Sequence, residues 1–501
     1  MKKLTALTLV IALLLGVFAS LTACGGGDGG DTAVTTTAAD AGAVTEETEL
    51  LRENTPDTLP AGLNYNGMDV RIHVRGDTGS IEEFEIEQTG DVIDDAIYRR
   101  NSSVEERLNV ELSVVIGHGW EKYNDEINKI RNSILSADNA FDIVSGWSAR
   151  IPVLAVEGCF MNMYDLPHID FDQPWWVQSL IEELTIADNL YFLTGDITLT
   201  ILRAAYAIVF NKSMAEKYQV GDLYQTVLDD KWTIDDMSEV VKGISSDLNG
   251  DGVMDEKDQY GSVWTAMNDV DSFLQSSGIK MITKDSDGYP VWDFEYDKIA
   301  VLVEKVYGLM FENDGVLGYN TAGGTAGENQ SIMFIEDRVL LRPAVLSYCE
   351  GSLKEMESDY GIIPYPKYDE KQEEYLTRIQ DAAALMCVPI SQPTDKLDAV
   401  GAVLEAMAAE SYRNVTASFF EVAMKVKYSR DEVSSQMLDI IRGGAYLNFA
   451  SIYNESIGYP WFVMRNLMCA KSKDFASWFA KNEPTIIQKL EVAVNSFKSN
   501  E

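Results

Sequence analysis

The chain has 501 residues, with 80 acidic side chains against 40 Lys and Arg, and so carries a formal net charge of −40. A field of this sign repels phosphate backbones and anionic lipid headgroups, which argues against nucleic-acid binding and against electrostatic docking on membranes. The apolar fraction of 46% is enough for a large core. The length corresponds to about two or three domains.

The N-terminus is typical of an export signal. Lys2 and Lys3 precede an almost unbroken apolar run from Leu4 to Val17. The run is followed by Leu21-Thr22-Ala23-Cys24, which resembles the bacterial lipobox. We therefore predict that residues 1–23 are removed and that Cys24 is lipidated, for instance with palmitate. The alternative is an uncleaved signal anchor, although the apolar run is short for a bilayer span.

The next segment, residues 24–66, is rich in Gly, Ala, Thr and Asp and has few large apolar side chains. Such a composition does not build a core, so we predict a flexible acidic tether between the lipid and a folded body. Together with the lipidated Cys24, this places the protein on the outer face of the cytoplasmic membrane, held there only by its lipid.

The first folded block alternates strands with helices. Val70, Ile72 and Val74 alternate with polar residues, and this period predicts a strand. Helices are predicted from Asp91 and over 121–136, and two more strands over 110–116 and 141–144. This βαβαβ spacing is typical of a parallel sheet covered by helices.

A second block of strands and helices begins near Tyr206. It contains a strand over 206–210, a helix over 212–218 and a helix that starts at Ile234 with Thr233 as its N-cap. Asp285–Gly288 is a hairpin signal. Further along, the pattern predicts a strand over 383–388, a helix over 395–410 and a helical C-terminal region. The predicted fold class is α/β.

Four cysteines follow the lipobox, at Cys159, Cys349, Cys387 and Cys469. They are widely spaced, lie in apolar surroundings and form no CxxC pair. An even number in an exported chain permits disulfides, whereas apolar neighbours favour four buried thiols.

The segment Asp247–Asp258 has the spacing of an EF-hand loop. Its predicted ligands are the side chains of Asp247, Asn249, Asp251, Asp255 and Asp258, and the backbone carbonyl of Val253. Gly252 occupies the sixth position, where such loops turn sharply, while Asp258 replaces the usual bidentate Glu. We predict a structural Ca²⁺ here, the alternative being an Asp/Gly turn without a cation. No other cofactor is predicted.

Common catalytic motifs are absent from the sequence. It contains no GxSxG, HExxH, GxxxxGK[ST] or strand-linked GxGxxG segment, and only three histidines. Its many acids form carboxylate pairs by chance, so the sequence leaves open a glycosidase dyad.

Several landmarks in order resemble extracellular solute-binding proteins of family 1, the carbohydrate binders of ABC importers that include maltose-binding protein. The landmarks are Ile208–Lys212, Lys231–Thr233, the loop Asp247–Asp258 with Gln259–Gly261, Phe334–Arg338 and Tyr360–Pro364. The resemblance implies a two-lobed periplasmic-binding-protein fold of class II, with hinge strands, a ligand cleft and closure that presents a surface to a membrane permease. It places lobe 1 at 67–203 plus about 362–428, and lobe 2 at 204–361 plus about 429–501.

Candidate ligand contacts follow from this resemblance and from sugar chemistry. Pyranose rings stack on aromatic faces, and their hydroxyls pair with carboxylates, amides and guanidinium groups. Trp147 follows a strand at its carboxyl end, where open sheets bind ligands. The predicted ligand-binding residues are Trp147, Trp264, Trp461, Asp77, Arg203 and Arg342.

The sequence thus predicts a monomeric, lipid-anchored binding protein without a catalytic step. Its predicted partners are a sugar or other small neutral polar ligand and the transmembrane subunits of an ABC permease. Three alternatives remain open at this point: a secreted glycoside hydrolase or lyase, a family 1 binder of a non-sugar polar solute, and a structural or adhesive surface protein.

Overall fold

The computed structural model describes residues 52–321, 325–425 and 432–500. The predicted signal peptide 1–23, the lipidation site Cys24 and most of the tether 24–66 lie outside these residues. None of the described helices is both long and apolar enough to cross a membrane.

The strands are numbered in chain order. They are β1 Met68–Val74, β2 Val110–Ile116, β3 Ile143–Trp147, β4 Tyr206–Asn211, β5 Ser245–Ser246, β6 Gln259–Thr265, β7 Ile282–Lys284, β8 Pro290–Trp292, β9 Val316–Tyr319, β10 Val339–Val345, β11 Tyr360–Ile363, β12 Thr377–Arg378, β13 Ala384–Cys387 and β14 Ala445–Tyr446.

The α-helices are referred to by their residues. They are Thr78–Glu82, Val92–Leu108, Tyr123–Ser136, Pro152–Val156, Gln178–Leu184, Thr200–Arg203, Lys212–Tyr218, Leu223–Leu228, Ile234–Val241, Asn268–Ser276, Tyr296–Tyr307, Thr325–Ile335, Ser347–Glu350, Leu397–Glu410, Thr416–Lys425, Glu432–Gly443, Phe449–Ile452, Val463–Cys469 and Phe475–Ser499.

The first sheet has the strand order β13-β3-β1-β2. β1 pairs in parallel with β2 and β3, whereas β13 pairs with β3 in the antiparallel sense. The helix Val92–Leu108 connects β1 to β2, and its N-cap Asp91 accepts hydrogen bonds from the backbone N–H groups of Ile93 and Asp94. The predicted βαβαβ unit is therefore confirmed, with β3 beginning two residues later than expected.

The second sheet is larger and mixed. Its order is β11-β4-β10-β6-β5, with β9 also paired to β6. β4 is antiparallel to β10 and β11, while β6 is parallel to β10 and β9. The Thr233 cap is present as a capping box with Asp236. Two helix-covered sheets confirm the predicted α/β class.

The chain passes between the two sheets from β3 to β4 and returns from β11 to β13. β11 belongs to the second sheet and β13 to the first, so this return falls in the segment after Ile363. The helix Asn268–Ser276, which follows β6, packs against the helix Val463–Cys469, the last but one in the described chain. The residue limits of the two lobes stay predictions.

The four cysteines of the described chain are free thiols. Cys159, Cys349 and Cys387 are buried, and Cys469 is half-buried. Burial raises the pKa of the Cys159 thiol to about 11. A thiol that stays protonated is a poor nucleophile, so these side chains act as small apolar residues of the core.

Candidate functional site

A cavity of about 430 Å³ lies where strands of both sheets end. Ala149 and Arg150 line it just after β3 of the first sheet, and Met267 and Asn268 line it just after β6 of the second. The remaining lining residues are Trp120, Gln380, Asp381, Ala382, Ser451, Asn454, Glu455, Tyr459, Trp461, Phe462 and Arg465. Carboxyl ends of strands are where open α/β sheets bind their ligands.

Aromatic rings form much of the cavity wall. Trp120 is 48% exposed and Tyr459 is 39% exposed, so both present ring surface to the solvent. Tyr459 stacks on Phe462 with ring centroids 5.5 Å apart and planes 19° from parallel. Flat, partly exposed rings of this kind suit the apolar C–H faces of a polar ring compound.

Tyr459 is held in an uncommon backbone conformation. Its φ of +66° lies in the left-handed region, which bulky residues rarely adopt. The backbone N–H of Tyr459 donates to the carbonyl of Asn454 at 2.7 Å, and the Asn454 side chain accepts from the Trp461 N–H at 2.9 Å. These bonds fix the turn that carries both aromatic side chains.

The charged residues of the lining balance each other. They are two arginines, Arg150 and Arg465, and two acids, Asp381 and Glu455. Arg150 Nη1 lies 2.6 Å from Glu455 Oε2. In a chain with a net charge of −40, a cavity lined by equal numbers of both signs favours a neutral, hydroxyl-rich ligand over an ion.

Below this wall, a cluster of arginines and acids is packed into the protein. Arg465 Nε donates to Asp271 Oδ2 at 2.7 Å, and Arg378 Nη2 donates to Asp381 Oδ1 at 2.6 Å. Both arginines also contact Asn268 Oδ1, each at 3.2 Å. Burial raises the pKa of the Asp271 carboxyl, although Arg465 and Arg378 oppose the shift. The cluster fixes Arg465 and Asp381 in the cavity lining.

Of the aromatic residues predicted from the sequence, Trp461 lines the cavity. Trp147 is the last residue of β3 and is 4% exposed. Its ring meets Trp120 edge to face, with centroids 5.6 Å apart, and Arg75 lies over it at 5.4 Å. Trp147 therefore supports Trp120 from behind and is not itself part of the lining.

Trp264 differs from the expectation because it lies in the core. It is fully buried in β6, with ring centroids 5.0 Å from Phe273 and 6.1 Å from Tyr365. β6 runs between β10 and β9, and helices cover its sheet. A tryptophan in such a strand packs against the helices, so this residue has no position on the cavity.

The three predicted polar contacts also lie elsewhere in the described chain. Asp77 caps the helix Thr78–Glu82 by accepting from the Ser80 N–H at 3.0 Å. Arg203 pairs with Glu350 at 2.9 Å. Arg342 is buried, and its guanidinium lies 4.6 Å from the centre of the Tyr348 ring. Each has a local partner, and none lines the cavity.

In the loop Asp247–Asp258, two carboxylates accept hydrogen bonds from backbone N–H groups of the loop itself. Asp247 accepts from the N–H groups of Gly250 at 2.6 Å and Gly252 at 2.8 Å. Asp258 accepts from those of Leu248 and Asp255, both at 2.9 Å. Within the described ranges, no group of three or more Asp, Glu, His or Cys side chains converges as a metal site. The side chains as placed do not form a calcium cage, and Ca²⁺ at this loop stays a prediction.

Sequence reasoning missed most of the lining, including Trp120, Arg150, Tyr459 and Arg465. One signal was available: Trp120 and Arg150 follow β2 and β3, whose carboxyl ends lie at the same edge of the parallel sheet. Arg465 has no such signal, because its position depends on the helix Val463–Cys469, which packs against the helix Asn268–Ser276 far away in the sequence.

A second cavity, of about 420 Å³, lies between the helix Gln178–Leu184, the hairpin β7–β8 and Tyr446. In the part of the chain that the structure describes, no carboxyl end of a strand in the four-stranded or six-stranded sheet borders it. The cavity after β3 and β6 is therefore the better candidate for the functional site.

Comparisons with solved structures support the α/β fold described above. No protein-family model and no curated protein matches the sequence. Among solved structures, a cyclo/maltodextrin-binding protein complexed with maltotetraose is 11% identical, with 86% of this chain and 96% of that chain covered and a TM-score of 0.53. A sugar transporter from Rhizobium etli in an open conformation is 14% identical, with 85% and 99% covered and a TM-score of 0.55.

A family 1 extracellular solute-binding protein from Bifidobacterium longum subsp. infantis is 10% identical, with 87% and 100% covered and a TM-score of 0.50. The chain has the two-lobed solute-binding-protein fold. The fold class predicted from the sequence is thus confirmed, and the cavity lies where the two sheets of that fold end together.

Proposed function

We propose that the protein is the substrate-binding component of an ABC importer and captures a neutral oligosaccharide or related polyol in the cavity after β3 and β6. The observation that carries this proposal is the lining: aromatic rings beside two arginines and two acids whose charges cancel. Stacking and hydrogen bonding recognise a neutral sugar, whereas a charged solute leaves one sign of this lining unpaired.

The fold supports the same reading. Sugar-binding proteins of transporters are among the structures that share it, including one that holds maltotetraose. Ligand contacts with both sheets would favour a closed state, in which the protein presents its surface to a permease. In this proposal no chemical step occurs, and lipidated Cys24 holds the protein at the outer face of the cytoplasmic membrane.

A thermal-shift panel of neutral glycans, from glucose, maltose and cellobiose to raffinose and maltotetraose, tests the proposal. We expect at least one glycan to raise Tm, because a ligand that binds only the folded state stabilises it. Trp120→Ala should remove most of this shift. It should also lower the Tm of the free protein modestly, because the half-exposed ring of Trp120 contacts Trp147 and Arg150.

Tyr98→Ala is the matched control, because Tyr98 is 38% exposed on the helix Val92–Leu108 and does not line the cavity. The glycan should raise the Tm of Tyr98→Ala by as much as it raises the Tm of the parent protein. A panel without any stabilising glycan contradicts the sugar assignment. Mass spectrometry should recover the bound glycan intact, and cleaved products would contradict the absence of a catalytic step.

A further inference from the structure

A small void lies directly behind the cavity wall. It shares Ala149, Asp381, Ser451 and Trp461 with the cavity, so the two spaces are neighbours. Its volume is about 10 Å³, which is enough for one oxygen-sized atom. We call this void, with Gln275, Arg378 and Trp461 in its lining, the donor subpocket.

The donor subpocket is lined by three buried side chains with unused N–H groups. Gln275 Nε2, Arg378 Nη1 and Trp461 Nε1 have no hydrogen-bond partner among the described residues. Gln275 is 2% exposed, Arg378 3% and Trp461 2%. Buried donors are almost always paired, because an unpaired one loses its bond to water and gains nothing in return.

The other polar atoms of these side chains are already engaged. Gln275 Oε1 accepts from Asn448 Nδ2 at 3.1 Å, which leaves its Nε2 group unused. Arg378 Nη2 donates to Asp381 and to Asn268. What these three side chains still offer is therefore hydrogen-bond donors, and their partner must be an acceptor.

The charges around the subpocket identify the kind of acceptor. The positive charge of Arg378 is compensated by Asp381, at 2.6 Å, and that of the neighbouring Arg465 by Asp271, at 2.7 Å. An anion would add an uncompensated negative charge in a buried place, whereas a neutral oxygen, with its two lone pairs, accepts from two of the donors without adding charge.

We propose that the donor subpocket is the deepest subsite of the cavity and recognises one hydroxyl or carbonyl oxygen of the ligand. The inference rests on the proposed function and adds a specificity rule to it. A ligand that lacks an acceptor at its buried end leaves three desolvated donors unpaired, and the protein discriminates against it for that reason.

Trp461→Phe tests the subsite, because it removes the Nε1 donor and keeps an aromatic ring in place. We expect the Tm of the free protein to fall, because the smaller ring leaves space at a buried position, although Nε1 has no hydrogen bond to a described residue to lose. Binding of the most stabilising glycan of the panel, measured by calorimetry, should weaken about tenfold through the loss of one hydrogen bond.

Trp232→Phe is the matched control. Trp232 is fully buried, and its Nε1 donates to the carbonyl of Pro364 at 3.0 Å, away from the cavity. This variant should lower Tm and leave the glycan Kd unchanged. If Trp461→Phe binds the glycan as tightly as the parent does, or if both variants weaken binding equally, the subsite is overturned.

Hydrogen exchange in the free protein separates this inference from the proposed function. The Trp461 indole proton borders a void next to the cavity, so it should exchange with D₂O at least about ten times faster than that of Trp232, which lies in the core. Equal, slow exchange overturns the subsite. If no glycan binds, the sugar assignment fails, and fast exchange of the Trp461 proton still supports a solvent-connected donor subpocket.

Discussion

Arg150 Nη1 lies 2.6 Å from Glu455 Oε2 and so joins the loop after β3 to the segment that precedes the Trp461 turn. The same guanidinium lies 4.0 Å from the centre of the Tyr123 ring and 5.2 Å from that of Trp120. One side chain thus holds together a charged contact and the aromatic wall of the cavity.

Arg150→Ala should lower the free energy of unfolding by about 1–2 kcal/mol, because it removes an ion pair and two cation–π contacts. Arg131→Ala is the control: Arg131 pairs with Glu157, also at 2.6 Å and with similar exposure. Its loss should cost less than about 1 kcal/mol, since exposed ion pairs contribute little. Urea unfolding measures the stability of both variants. Equal losses of stability would contradict a contribution from the contacts of Arg150 with the rings of Tyr123 and Trp120.

Glu405 is expected to make stability depend on pH. Burial raises the pKa of this carboxyl to about 7, although it accepts a hydrogen bond from Trp176 Nε1 at 3.0 Å. The folded state therefore favours the protonated form. The protonated Glu405 carboxyl contributes about 3 kcal/mol to the free energy of unfolding. This contribution is complete below the ordinary pKa of Glu, and it is lost as the pH rises from there through 7.

Glu405→Gln should remove this dependence, because the amide oxygen still accepts from Trp176 and carries no charge. Urea unfolding at pH 5 should give the parent and the variant similar stability, and at pH 8 the variant should be more stable. Glu216→Gln, on an exposed position, should leave the pH dependence as it is. A parent that gains stability between pH 5 and 8 relative to Glu405→Gln would contradict this interpretation.

Gly401 provides a test of packing between a helix and a loop. A Cβ atom at this position of the helix Leu397–Glu410 would lie 1.9 Å from the carbonyl oxygen of Pro167. Gly401→Ala should therefore destabilise the protein by about 1–3 kcal/mol, as overpacked cores do.

Gly443→Ala is the control within another helix. Among the described residues, no atom outside the helix's own backbone lies within 4 Å of a Cβ built there, so its unfolding free energy should stay within about 1 kcal/mol of the parent. Thermal and urea denaturation measure both variants. If Gly401→Ala is as stable as Gly443→Ala, the helix does not approach the carbonyl of Pro167 as closely as described.

The loop Asp247–Asp258 gives a test with and without calcium. Asp258→Asn replaces one of the two oxygens that accept from Leu248 and Asp255. We expect a lower Tm both in calcium and after dialysis against a chelator, because these hydrogen bonds need no cation. If Ca²⁺ binds as the sequence predicts, chelator also lowers the Tm of the parent, and calcium restores it.

The sequence predicted the fold better than the site, for a physical reason. Alternation in β1 and the caps at Asp91 and Thr233 are local, so a single segment reveals them. Trp264 and Trp461 both follow short runs with Tyr and Gly, yet one lies in a central strand and the other on the cavity. Only the pairing of β6 with β10 and β9 separates the two cases.

The arginines show the same limit of sequence-based prediction. Arg203, Arg342 and Arg465 are equally suited to bind a hydroxyl as isolated side chains. Glu350 and the Tyr348 ring engage the first two, whereas the helix Val463–Cys469 brings Arg465 to the cavity. These partners are far apart in sequence, and no periodicity records them.

The four free thiols have a consequence for how the body of the protein reaches its native state. A chain whose described cysteines remain unpaired needs neither an oxidant nor an isomerase to complete its fold. The thiol of Cys387 is buried beside the backbone of Val144, where burial raises its pKa well above the ordinary value. Refolding of the described part of the chain should therefore give the same yield with dithiothreitol or in air.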